Sequence, residues 1–139
     1  MKQLLRNIVR VSYIDARVLQ DITVIPGMGV LLQDDFNFIP LPISGLGSCE
    51  ISSVTEDRVP VFTSVLSCLI TEDFDPAQRP LVFLMVTLQG ERFLLGCQEP
   101  PYPIVTSVSS LPAKMSEPSG YRLTATWKSA LGLLRILDC

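Results

Sequence analysis

Histidine is absent from the 139 residues. Imidazole is the commonest general acid–base near neutral pH, so its absence excludes Ser-His-Asp and Cys-His chemistry. Charge is scarce as well. Charged residues make up 18% of the chain, against ~25% in ordinary soluble domains. The net charge is −3, and only three of the eleven basic residues are lysine. Phosphate binding needs clustered Lys and Arg, so direct reading of a nucleic acid is not expected. Long apolar runs are missing too. The longest uncharged runs, Phe36 to Cys49 and Pro100 to Ala113, carry prolines and are too short to span a bilayer as a helix. Arg6 and Arg10 break up the first apolar stretch, and no small-residue cleavage site follows. These features predict a protein made and folded in a reducing cytoplasm.

The cysteines are Cys49, Cys68, Cys97 and Cys139, with no C-x2-C pair among them. Without histidine that spacing supports no zinc site. Buried reduced thiols are the expectation, and two disulfides the alternative. The length suits one domain, residues 1–139, able to bury a core without a metal or disulfide staple. With so little charge, its surface must be covered by Ser, Thr, Gln and Pro, or by another subunit. Arg is the main cation, and its planar fork is favoured at protein contacts.

What is present is β-rich. Eleven prolines and eight glycines punctuate the chain at short intervals, leaving little room for helices of 12 or more residues. Leu4 to Leu19 fits either a strand or a helical face, and the β-branched density of "NIVRVSYI" favours a strand. Short strands are expected at Gly29 to Leu32 and Phe36 to Ile39, with turns at Pro26-Gly27 and Asp34-Asp35. "PISGLGS" reads as a loop. A hairpin is expected over 48–55 and 59–71, turning at Glu56-Asp57-Arg58. Pro60 then belongs at an edge or a strand start. "LVFLMVTL" is apolar on both parities, as in a strand covered on both faces. "QGE" turns it, and "RFLLG" returns. A strand near Ile104 to Val108 follows. In "GYRLTATWK", Tyr121, Leu123, Ala125 and Trp127 share one parity and Arg122, Thr124, Thr126 and Lys128 the other. That is a half-buried strand. Leu131 to Leu137 closes the chain as a strand after a turn at Ser129–Gly132, or as a short helix. The expected fold is mainly β: an antiparallel sandwich or small barrel with long loops and at most one short helix.

Candidate chemistry is thin. Asp34-Asp35 and Glu72-Asp73-Asp75 sit beside turns, where Asp bonds its own backbone. A carboxylate hydrolase would need two of them facing across a cleft. "TEDFD" lacks the twelve-residue calcium-loop pattern. Lys128 and Ser129 are neighbours on a strand and so point to opposite faces, which rules out a Ser-Lys dyad. "PGMG" and "GLG" have no Lys-Ser/Thr behind them and open no helix, so they read as turns. Trp127, Tyr121 and Phe93 read as core rather than as a ligand platform. No catalytic, cofactor or metal residues are assigned, and the chain is read as not an enzyme.

Beyond composition, "RPLVFLMVTLQGERFLLGCQEPPYPI", a polar loop and "SGYRLTATWKSALGLLRIL" resemble small β-rich structural proteins of tailed bacteriophages and prophages, of the neck and tail-completion kind. Gly90, Phe93, Leu94, Gly96 and Pro100 carry the first part of the likeness; Gly120, Tyr121, Leu123 and Thr124 carry the second. It covers about residues 80–137. The resemblance implies a non-enzymatic virion subunit, such as a head–tail connector, that binds other virion proteins and copies of itself. It implies no small-molecule substrate, no cofactor, no membrane span, and a place in the virion after synthesis in the host cytoplasm. Subunit contacts are then expected at Pro76 and Arg79 in one connection, and at Pro112, Lys114 and Ser119 in another. A small β-barrel or sandwich that binds an apolar or carbohydrate ligand is the alternative.

Overall fold

A computed structural model describes residues 2–18, 23–25, 29–31, 38–71, 80–97, 102–110, 120–129 and 133–137. Among them the strands are β1 (Lys2–Asp15), β2 (Thr23–Ile25), β3 (Gly29–Leu31), β4 (Ile39–Leu41), β5 (Gly47–Glu56), β6 (Val59–Ile70), β7 (Leu81–Thr87), β8 (Arg92–Leu95), β9 (Ile104–Ser110), β10 (Gly120–Ser129) and β11 (Leu134–Leu137). A 3-10 turn, Ala16–Val18, follows β1. The fold is mainly β, as expected. The strands form one sheet in the order β2-β3-β11-β8-β7-β1-β5-β6-β10-β9, with β4 added on β1. The pairings are antiparallel except β11 with β3. The two ends of the order, β2 and β9, do not pair with each other, so the sheet is open rather than a closed barrel.

Local chemistry explains the clearest elements. In β10, Leu123, Ala125 and Trp127 are buried while Arg122 and Lys128 are exposed, the period-two pattern of its sequence. β7 buries Leu81, Val82, Phe83 and Met85, using both parities. Asp57 and Arg58, between the paired Glu56 and Val59, have φ of 49° and 68°. A two-residue loop with both φ positive is the tight hairpin turn whose twist matches that of its strands. Pro60 is the second residue of β6, opposite Thr55. β10 reaches only as far as Phe62 on the other side, so no ladder donor is required there. The next turn is closed by Gly90 N–H to the Thr87 carbonyl at 2.9 Å, with Gly90 at φ +88°.

β1 covers much of the strand expected over Leu4 to Leu19, starting at Lys2 and ending at Asp15, and is bent by a bulge. Its register on β5 shifts between Leu5 and Ile8, and its register on β7 shifts between Ile8 and Arg10. Asn7, at φ 61°, is the residue that takes the left-handed conformation. Asn tolerates that region better than most side chains. The first half of β1 pairs with β5 alone; the second half pairs with β7 on one side and β4 on the other. A strand that changes partners at a bulge lets a single sheet fold over its own core.

That core holds Ile8, Val11, Leu66, Ile70, Phe83, Met85, Leu94, Leu95, Leu123 and Trp127, all at 1% exposure or less. Tyr121 and Phe93 pack against it half-buried. All three aromatics singled out in the sequence therefore serve packing.

Three expectations shift in detail. The strand placed over Phe36 to Ile39 begins at Ile39, and residues 32–37 lie outside those described. The segment read as the loop "PISGLGS" pairs in part: Ile43 bridges Ile70, and β5 already starts at Gly47. The last strand starts at Leu134, while Ser129 belongs to β10.

Candidate interaction surface

Several stretches of strand edge have no described strand on them, among them the outer side of the three-residue, Pro40-containing β4 and the tip of the β5–β6 hairpin; three more differ in chemistry. At one end lies β2, only three residues long. Within the sheet lies the first half of β1, because its pairing with β7 starts only at Ile8. That stretch contains Lys2 and Arg6 and ends in the bulge at Asn7. Short strands, charged side chains and bulges are the usual devices that keep an edge from pairing with another chain. The third edge is β9, at the opposite end of the order. It is seven residues of "IVTSVSS", without charge or proline. No register shift interrupts its pairing with β10, from Gly120 opposite Ser110 to Thr126 opposite Ile104.

β9 alternates about the sheet plane. Val105 and Ser107 lie opposite the buried Ala125 and Leu123 and turn inward with them. Ile104, Thr106 and Val108 turn outward, with Ile104 71% and Val108 64% exposed. Beside them on the same face run Thr126, Thr124 and Arg122 of β10, then Val65, Ser67 and Leu69 of β6. Polar contacts tie these strands together: Thr106 Oγ1 donates to the Thr124 carbonyl at 3.5 Å, and Arg122 Nη1 donates to Ser67 Oγ at 3.2 Å. Charge is sparse over the three strands. Lys128 stands 3.9 Å from Glu56 near the far end of the face, both side chains largely in water, where such a pair contributes little.

Elsewhere the described residues organise no reactive centre. They contain no group of three or more His, Cys, Asp or Glu placed to hold a metal. Cys49, Cys68 and Cys97 are unbridged and buried. Burial pushes the Cys49 thiol up to about 12, against an opposing backbone hydrogen bond with Val65. It pushes Cys68 up to about 11, against the opposing charge of Arg122. Neither is a thiolate at neutral pH, so neither is a nucleophile. Lys128 is exposed and its neighbour Ser129 buried, as their adjacency on a strand requires. Asp15 accepts from Arg17 through both carboxylate oxygens, and that hydrogen bond, then the carboxylate charge, raises the Arg17 pKa. This pair sits where Ala16 N–H donates to the Pro80 carbonyl, and holds the chain turn after β1. Of the "GLG" glycines, Gly45 lies in the irregular step between β4 and β5 at φ +77°, while Gly47 opens β5, where an added Cβ would stand 3.2 Å from the Cys68 Cβ.

The contact residues expected from the sequence, Pro76, Arg79, Pro112, Lys114 and Ser119, lie outside the described residues, as do Asp34, Asp35, Glu72, Asp73 and Asp75. Residues 111–119 lie in the chain between β9 and β10. The residues that sequence reasoning did not single out are Ile104, Thr106 and Val108. Their signal is an uncharged strand with apolar side chains on both parities.

No protein-family model matches the chain. No curated protein and no solved structure matches it either.

Proposed function

We propose that this protein is a non-enzymatic structural subunit of a phage-like virion, of the neck, head–tail connector or tail-completion kind, and that it works through protein–protein contacts. The observation that carries the contact role is the β9 edge, an uncharged strand end with Ile104 and Val108 exposed. Monomeric proteins protect such edges, and assembling proteins use them. The virion assignment comes from the resemblance over residues 80–137. Of its described motif residues, Gly90, Phe93 and Leu94 fall on the β7–β8 hairpin, Gly96 directly after it, and Gly120, Tyr121, Leu123 and Thr124 on β10, the strand paired with β9. The lack of histidine and the high pKa of the buried thiols support a role without catalysis. The protein would be made in the host cytoplasm and end in the particle, contacting copies of itself and other virion proteins. The connections holding Pro76 and Arg79, and Pro112, Lys114 and Ser119, are proposed as further contact loops.

The test is genetic and compositional. Purified particles from a host carrying the gene should contain the chain at fixed stoichiometry by mass spectrometry. Deletion should leave heads and tails unjoined in electron micrographs. Complete, infectious particles formed without the protein would refute the assignment. So would catalytic turnover by the pure protein that a single substitution abolishes.

A further inference from the structure

We infer that β9 pairs with β9 of a second copy, antiparallel and centred on Ser107, joining two sheets edge to edge. This rests on the proposal of a contact-making subunit and deepens it by naming the partner and the register. Three observations single out this edge and this occupant.

The first is selective exposure. β2 is short, and the open half of β1 contains Lys2, Arg6 and the Asn7 bulge, whereas β9 has none of these protections over seven residues. The second is charge. Two copies, each of net charge −3, repel one another, but the segment Ile104–Ser110 is neutral. Among the described residues the nearest fixed charge on the outer face is Arg122, one strand in, opposite Val108. With strands ~4.8 Å apart and ~3.4 Å per residue, the two Arg122 side chains of a pair would stem from backbones ~16 Å apart. That exceeds the Debye length of ~8 Å at physiological salt. Among the described residues no like charges are brought together.

The third is parity. Directly opposed residues in a sheet share a face, so outward Ile104, Thr106 and Val108 must meet outward residues of the partner strand. A two-fold axis perpendicular to the sheet through a residue satisfies this, and through Ser107 it pairs all seven residues. Thr106 then faces the partner's Val108, Val105 faces Ser109, and Ile104 faces Ser110. Thr and Val are alike in shape, and both suit a pleated surface. The contact is self-complementary and closes as a dimer. It leaves the loops and the far end of the sheet for other partners.

Sedimentation of the full-length protein from micromolar to millimolar concentration tests this. The wild type should show a concentration-dependent monomer–dimer equilibrium. Thr106→Lys with Val108→Lys sets lysines opposite one another twice per dimer and should raise the dimer Kd at least tenfold. Thr106→Lys with Val108→Glu sets opposite charges in the same places and should return the Kd to within a few-fold of wild type. Both substitutions are on exposed positions, and an unchanged melting temperature in dilute solution separates pairing from folding. A wild type that stays monomeric, a double-lysine variant that dimerises like wild type, or a Lys/Glu variant that stays monomeric would each overturn the inference. Presence in particles with a monomeric wild type would sink the pairing and keep the proposed function. Dimerisation through β9 without incorporation into particles would do the reverse.

Discussion

Alkaline pH should destabilise this protein through two thiols that are buried in the folded state. Cys49 and Cys68 lie on β5 and β6 with 0% and 4% exposure. Burial raises their pKa from 9.0 to about 12 and about 11. In the unfolded chain both thiols ionise near the ordinary value. Below pH 9 both states hold the protons and nothing is lost. Between pH 9 and 11 the unfolded chain sheds protons that the folded protein keeps, so stability falls as pH rises. One unit above the unfolded value is worth ~1.4 kcal/mol per thiol, about 3 kcal/mol for the two at pH 10. At ~3–4 °C per kcal/mol for a domain of this size, the melting temperature drops by about 10 °C from this cause. Other groups titrate as well, so the comparison should be differential. Cys49→Ala/Cys68→Ala removes both thiols and costs about 1 kcal/mol per site at neutral pH through lost burial. The stability of the wild type relative to the variant should fall by about 3 kcal/mol between pH 7 and pH 10, turning an advantage of about 2 kcal/mol into a deficit of about 1 kcal/mol. Urea unfolding under reducing conditions, followed by the fluorescence of Trp127, the chain's single tryptophan, measures the gap at each pH. A gap that stays constant across that range would refute the reasoning.

Three further outcomes follow from individual positions. Arg58 sits at φ 68° in the β5–β6 turn, a conformation that costs a non-glycine residue ~1–2 kcal/mol. Arg58→Gly should therefore raise the melting temperature, by about 3 °C after the added chain entropy of glycine is subtracted; a lower value would contradict the turn assignment. Ser64 Oγ is buried on β6 without a hydrogen-bond partner among the described residues. Ser64→Ala should stabilise by about 1 kcal/mol in chemical denaturation, and a loss of that size would mean the hydroxyl is satisfied. A Cβ on Gly120 would stand 2.5 Å from the Ile70 carbonyl oxygen, a backbone atom. Gly120→Ala should destabilise by ~1–3 kcal/mol, and a neutral thermal melt would show that the start of β10 yields without cost.

The parts of the fold legible in the sequence are those fixed by neighbours in the chain. The β5–β6 hairpin was expected at 48–55 and 59–71 and lies at Gly47–Glu56 and Val59–Ile70, because a polar turn between two β-rich runs is local information. The alternation of β10 and the two-sided apolarity of β7 are local in the same way. The bulge in β1 left no such mark. "NIVRVSYI" reads as one uninterrupted strand, and Asn7 carries no signal that distinguishes a left-handed residue from an ordinary surface amide. β2 and β3 pair across three residues, and β3 then runs parallel to β11 from the other end of the chain. That is a long-range choice set by where the remaining core needs covering.

The same division explains why the interaction surface was hidden. The strand over Ile104 to Val108 was expected, but its side chains mix apolar and hydroxyl groups on both parities, so the pattern cannot tell inside from outside. In the middle of the sheet "IVTSVSS" would be an unremarked strand with both ladders filled. Topology gives it meaning by placing it last, after β10, with one ladder uncovered. An uncharged strand is then conspicuous, since the same sheet contains Lys2 and Arg6 on its other long open edge and is only three residues long at β2. Selection against unwanted pairing acts on every edge alike. A chain that shortens or charges its other described edges and leaves β9 bare fits the pairing proposed for that edge.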